Sequence, residues 1–124
     1  MRILVVDDST VMRKMIERLL RAAGVEITEL IEAGDGWEGL ALAREKDPDL
    51  ILCDINMPTM DGLEFLRNLK ETPLARRVPV VMITTEGSET RMAEAKASGA
   101  SGYIRKPFTA EQIKEQILPL LGVS

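Results

Sequence analysis

The 124-residue chain contains no histidine. That excludes imidazole general-base catalysis and every metal site built on histidine. It has a single cysteine, Cys53, so neither an internal disulfide nor a Cys-x-x-Cys redox or zinc motif can form. A lone thiol within an apolar run fits a reducing compartment, and a cytoplasmic location is expected. No apolar run approaches the ~20 residues needed to span a bilayer. The opening Met1-Arg2-Ile3-Leu4 lacks the ordered charged, apolar and cleavage regions of a signal peptide, so none is expected. There is no excess of positive charge either: 16 basic residues face 20 acidic ones, for a net charge of −4. That balance argues against nonspecific nucleic-acid binding, which needs a basic face to neutralise phosphates, and no nucleic-acid partner is expected. Repeats, linkers and low-complexity stretches are also absent.

What remains is an alternation of short apolar runs and longer amphipathic segments. Ile3 to Val6 is β-branched and uninterrupted, as in a strand buried on both faces. It ends in Asp7-Asp8. Met12, Met15, Ile16, Leu19, Leu20 and Ala23 then recur at helical spacing up to Gly24. The methionines read as core filler. Arg13, Lys14, Glu17, Arg18 and Arg21 read as the solvated face of that helix. Residues 26–33 suggest a second strand, and Trp37, Leu40 and Ala41 open a second helix that ends near Asp47-Pro48. Trp37 is expected to be partly buried. Leu50 to Cys53 forms a third strand ending in Asp54, and Leu63, Leu66 and Leu69 mark a third helix. Val78 to Thr84 forms a fourth strand with Pro79 at its start. An alanine-rich helix containing Met92 and Ala95 stops at Gly99, and Gly102 to Arg105 is a short fifth strand. Thr109 stands three residues before Gln112, a capping-box arrangement for a last helix. Pro119 should kink that helix or end it just before.

Strand–helix alternation of this kind predicts an α/β fold: an open, doubly wound, five-stranded parallel sheet with helices on both faces. Periodicity does not choose between the two common strand orders. In either, ligands bind beyond the carboxyl ends of the strands, where the order reverses. At those ends stand Asp7-Asp8, Asp54, Thr84-Thr85-Glu86 and Arg105-Lys106-Pro107. Each residue alone has an ordinary reading, Asp8 as a helix N-cap and Lys106 as a solvated charge. Converging together, three carboxylates repel unless a cation sits among them. All-oxygen ligands favour a hard ion such as Mg2+. A divalent cation with a lysine beside a carboxylate is equipment for phosphoryl transfer, with the carboxylate as nucleophile. Cys53 has no activating base in its strand and reads as a small buried hydrophobe.

The motifs LVVDDS (Leu4 to Ser9), LILCDINMPTMDG (Leu50 to Gly62), VVMITTEG (Val80 to Gly87) and SGYIRKPF (Ser101 to Phe108) stand in order. Together they give the chain a sequence that resembles the receiver domain of bacterial two-component response regulators, from Ile3 to about Leu121. It is most similar to the free-standing chemotaxis type. The resemblance implies strand order 2-1-3-4-5 and one receiver domain over residues 1–124 with no output domain. It implies Asp54 as phosphoacceptor. Asp8 would bind Mg2+ directly and Asp7 through water, with Asp54 and the Asn56 carbonyl also at the metal. Lys106 would contact phosphoryl oxygens, Thr84 would hydrogen-bond to them, and Tyr103 would be the switch residue. Pro107 would follow a cis peptide bond. The implied partners are a histidine kinase as donor and a target such as a flagellar motor switch protein, with a phosphatase as a further candidate, around a monomer.

Ile55 and Ser9 depart from the best-known chemotaxis member, the first where that protein carries a tryptophan and the second where it carries a bulky aromatic, and the tail Leu118 to Gly122 is unusual for the last helix and bears on which partners the fourth-helix to fifth-helix face would take. An alternative output is onward transfer in a phosphorelay. A flavodoxin-like FMN module is disfavoured because Asp7-Asp8 would repel a phosphate, and a pseudo-receiver because no acidic or lysine site residue is missing.

Overall fold

The computed structural model describes residues 1–57, 60–72, 78–84, 89–106 and 108–121. Five strands, β1 (Arg2–Val6), β2 (Glu29–Ala33), β3 (Leu50–Asp54), β4 (Val80–Thr84) and β5 (Gly102–Arg105), form one parallel sheet in the order β2-β1-β3-β4-β5. The helices between and after them are α1 (Thr10–Ala22), α2 (Gly36–Lys46), α3 (Gly62–Lys70), α4 (Glu89–Ala97) and α5 (Ala110–Ile117). The expected fold class and strand order are both observed.

Successive strand side chains point to opposite faces, so an uninterrupted apolar run feeds two cores. On one face Ile3 and Val5 of β1 join Leu50 and Leu52 of β3, beneath Ile16 and Leu20 of α1 and Ile113 and Ile117 of α5. On the other face Leu4 and Val6 join Ile51 and Cys53, covered by Leu40 of α2, by Phe65 and Leu66 of α3 and by Ala95 of α4. The order reverses between β1 and β3, where Val6 pairs with Cys53, one residue before Asp54.

Helix boundaries follow local chemistry. Ser9, not Asp8, caps α1, its side chain accepting from the Met12 N–H. Asp35 caps α2 and Asp61 caps α3 in the same way. Asp47 closes α2 with φ 49°, a left-handed conformation that asparagine and aspartate tolerate better than most residues. The Thr109–Gln112 capping box is complete. Helix α5 ends before Pro119, and Leu118–Leu121 continues as a 3₁₀ turn, since proline supplies no N–H to the helical ladder.

Four expectations need correction. Strand β2 begins at Glu29, not near residue 26, because the Val25 N–H is taken by Leu20 O as α1 closes. Strand β4 begins at Val80, although Pro79 still offers its carbonyl to Ile51 N at 3.1 Å. Trp37 is 63% exposed and Met15 47%, whereas Met12 packs against the core as expected. The buried positions of α2 are Gly36, Gly39, Leu40 and Ala43, and Trp37 points off that face. Met92 is half-buried and lines a groove beside Tyr103.

Candidate functional site

Strand ends bring the acidic residues together. Asp7 directly follows β1 and is held by its N–H to Ala33 O at 3.0 Å, an extension of the β1–β2 ladder. It is 1% exposed, and its Oδ1 accepts from the Ser9 N–H at 2.9 Å. Asp8 beside it is exposed. Asp54 closes β3 and is 7% exposed. One carboxylate oxygen from each of Asp7, Asp8 and Asp54 lies within 4.8 Å of the others.

Lys106 reaches in from the end of β5. Its backbone N–H donates to Thr84 O at 2.7 Å, which fixes the direction of its side chain. Its Nζ lies 3.2 Å from Asp7 Oδ2 and 3.4 Å from Asp54 Oδ2, with the side chain only 11% exposed. One ammonium thus serves two buried carboxylates, and a third carboxylate stands beside them. Thr84 ends β4 and is fully buried. Asn56 bridges the two sides of the site: its N–H donates to Asp54 Oδ1 at 3.2 Å, and its Nδ2 donates to Thr84 Oγ1 at 3.4 Å.

Glycine makes this crowding feasible. A Cβ at Gly62, the first residue of α3, would run into the Asp54 carbonyl and come within 2.7 Å of Ile55 Cα. Only a residue without a side chain lets α3 start this close to the end of β3. The Gly62 N–H also donates to Ile55 O at 2.8 Å, which ties the start of α3 to the end of β3.

The electrostatics follow from burial. Desolvation raises the Asp54 pKa above its ordinary value; Lys106 opposes this, Asp7 adds to it, and the Asn56 N–H works with Lys106. Burial likewise pushes the Cys53 thiol well up, assisted by the Asp54 and Asp7 charges, and its Sγ–H points to the Asp54 carbonyl at 3.4 Å. Cys53 is therefore an inert packing group, as expected. The donor set of the cluster is all oxygen, with two carboxylates buried and one open to solvent. It fits a hard divalent cation, and the acidic cluster could hold a metal ion.

The structure assembles Asp7, Asp8, Asp54, Asn56, Thr84 and Lys106 at one rim. Tyr103 is set apart: it is half-buried against the core on β5, opposite Met82 of β4. The expected cis bond before Pro107 lies outside the described residues, as do Thr85 and Glu86. Sequence reading missed Arg13. It is not solvated: its side chain is 14% exposed and donates to Asp7 O at 2.6 Å, to Glu32 Oε1 at 3.1 Å and to Thr10 Oγ1 at 3.1 Å. Its helical spacing is that of a surface charge, and nothing local signals its reach across to β1 and β2.

Residues 3–118 match the family model of the response regulator receiver domain. Chemotaxis protein CheY-3 of Vibrio cholerae is 40% identical over 94% of this chain and 88% of its own length. Chemotaxis protein CheY of Pseudomonas aeruginosa is 39% identical over 94% of this chain and 93% of its own. Among solved structures, CheY4 of Vibrio cholerae superposes with a TM-score of 0.85 at 37% identity, covering 96% of this chain and 97% of that one. The CheX-CheY-BeF3-Mg2+ complex of Borrelia burgdorferi gives a TM-score of 0.85 at 27% identity, covering 97% and 88%. A match over nearly the whole chain, with the strand order and the acidic rim already described, makes this protein a member of the response regulator receiver domain family.

Proposed function

We propose that the protein is a single-domain, chemotaxis-type response regulator that takes a phosphoryl group from a partner histidine kinase onto Asp54. The observation that carries this reading is the Lys106 ammonium lying 3.2 Å from Asp7 and 3.4 Å from Asp54, with the Asp8 carboxylate beside them. The chain has no histidine, so the donor imidazole must come from a partner. Asp54 Oδ attacks phosphorus as the P–N bond of the donor phosphohistidine breaks, and the imidazole leaves with that electron pair. Water later attacks the acyl phosphate, releasing inorganic phosphate and restoring the carboxylate. Asp7, Asp8, Asp54 and the Asn56 carbonyl are the residues that would hold Mg2+, and the ion supplies charge neutralisation for the transferring phosphoryl oxygens. Lys106 takes up phosphoryl charge from the opposite side, and the Thr84 hydroxyl donates to a phosphoryl oxygen.

The acyl phosphate then biases the surface around Tyr103, where a downstream protein such as a flagellar motor switch component docks. The names of the chemotaxis relatives support a chemotaxis role, and the Borrelia complex of a CheY with BeF3, Mg2+ and CheX supports both the ion and a protein partner. A cytoplasmic location fits an exchange with a kinase and a motor. Among the described residues no helix is long and apolar enough to cross a membrane.

Incubation with acetyl phosphate and Mg2+ should add one acid-labile phosphoryl group to the wild-type protein and none to Asp54→Ala, read by intact mass. Full labelling of the variant would remove Asp54 as acceptor.

A further inference from the structure

Asp8 is the acidic residue that its own side chain does least to hold. Asp7 Oδ1 receives the Ser9 N–H, and Asp7 Oδ2 and Asp54 both contact Lys106. The Asp8 carboxylate takes part in no hydrogen bond or ion pair among the described residues, and it is exposed. Its position is therefore fixed by its backbone alone. The peptide group that precedes it has the Asp7 carbonyl at one end and the Asp8 N–H at the other, and planarity makes them one rigid body. That carbonyl is gripped by Arg13 Nη1 at 2.6 Å.

Arg13 is itself anchored from two further directions. Nε donates to Glu32 Oε1 on β2 at 3.1 Å, and Nη2 donates to Thr10 Oγ1 on α1 at 3.1 Å. Burial would raise the Glu32 pKa, but its bonds to Lys14 and Arg13 prevail and hold its carboxyl below the usual range, so it stays charged. The planar guanidinium thus ties β2, α1 and the end of β1 together, using three donors in a fixed fork. A lysine could reach one of these acceptors but could not span all three.

We infer that Arg13 is a positioning residue for the metal site: by fixing the Asp7–Asp8 peptide from behind, it sets where the Asp8 carboxylate meets the cation. The inference rests on the Mg2+-dependent reading proposed above. Partners that orient a metal's ligands commonly contribute 10–100-fold to metal affinity.

Positioning and simple charge predict opposite signs, which makes the proposal testable on the intact protein by calorimetric Mg2+ titration. Arg13 is a cation next to a cation site. If charge were its only influence, Arg13→Gln would tighten Mg2+ binding and Arg13→Lys would leave it unchanged. If the fork positions Asp8, both variants weaken binding, by about tenfold. Melting curves in EDTA, recorded alongside, separate this from loss of fold, because a merely structural role would lower the melting temperature without changing the Kd of the folded protein. Wild-type affinity in both Arg13 variants, or tighter binding in Arg13→Gln, overturns the proposal while leaving the receiver reading intact. Absence of Mg2+ binding by the wild type overturns both.

Discussion

Lys106→Met should destabilise the metal-free protein by about 3 kcal/mol, the low end of what removing one partner of a buried ion pair costs. For a domain of this size that lowers Tm by roughly 10 °C. Methionine keeps the side-chain length and most of the packing, so the change isolates the charge. The Lys106 side chain is 11% exposed and its ammonium is shared by Asp7 and Asp54, which are 1% and 7% exposed. Without it, three carboxylates lie within 4.8 Å of one another with no lysine among them. Melting curves in EDTA read the loss. A Tm within about 2 °C of wild type, well under 1 kcal/mol, would mean that the pair contributes little to the fold.

Two further measurements give the loss an electrostatic signature. The folded Asp54 pKa already lies above its unfolded value, so the folded state holds that proton more tightly. Its contribution to stability is full below the unfolded pKa and falls as pH climbs through the folded one. Lys106 is the main influence lowering the Asp54 pKa. Removing it raises that pKa further, so the variant should lose more stability between mildly acidic and neutral pH than the wild type does. Mg2+ should reverse part of the loss. An ion that binds only the folded state adds RT ln(1 + [L]/Kd), about 2.7 kcal/mol at a hundredfold excess over Kd. The variant site carries one more unit of net negative charge, so its Tm should rise further with Mg2+ than the wild-type Tm does. Coincident wild-type curves with and without Mg2+ would count against a metal at this rim.

The residues that form the rim were readable because they stand at strand ends. An apolar run that stops at a carboxylate, as at Val6-Asp7 and Cys53-Asp54, marks both an element boundary and a position on the reactive edge. Lys106 and Thr84 became candidates for the same reason. The strand order was not readable from periodicity, since either order satisfies the same alternation, and only the family motifs indicated it. Side chains that act across elements were hidden. Arg13 has the spacing of a solvated helix charge, and its three acceptors belong to three different segments. Trp37 shows the opposite failure: a large aromatic one position away from the buried face of α2 suggests burial by its composition and is exposed by its phase.

Thr84→Ala should still accept a phosphoryl group on Asp54 and yet gain no affinity for its target when activated. The Thr84 hydroxyl is fully buried and receives the Asn56 amide at 3.4 Å. In that arrangement β4 meets β5 with Thr84 opposite Arg105 and Met82 opposite Tyr103. A phosphoryl group on Asp54 gains the hydroxyl's hydrogen bond only if Thr84 moves toward it. In the proposed switch that movement would leave space beside β5 for the half-buried Tyr103 ring to turn inward, and would reshape the groove that it lines with Met92, Ala95, Lys96 and Gln116. The phosphoryl group can shift this equilibrium only by its differential contact with the two packings, and in the proposed switch the Thr84 hydroxyl would be that contact. A coupling of ~1–3 kcal/mol corresponds to roughly 5–150-fold in target affinity. Tyr103→Trp alters the ring that must turn but not the acceptor, so it should change target affinity and leave the phosphorylation rate close to wild type. Affinity for the target with and without beryllofluoride, a stand-in for the phosphoryl group, gives the gain for each protein. A Thr84→Ala protein that keeps the full wild-type gain would show that activation reaches β5 by another route, with the Asn56 side chain as the next contact to remove.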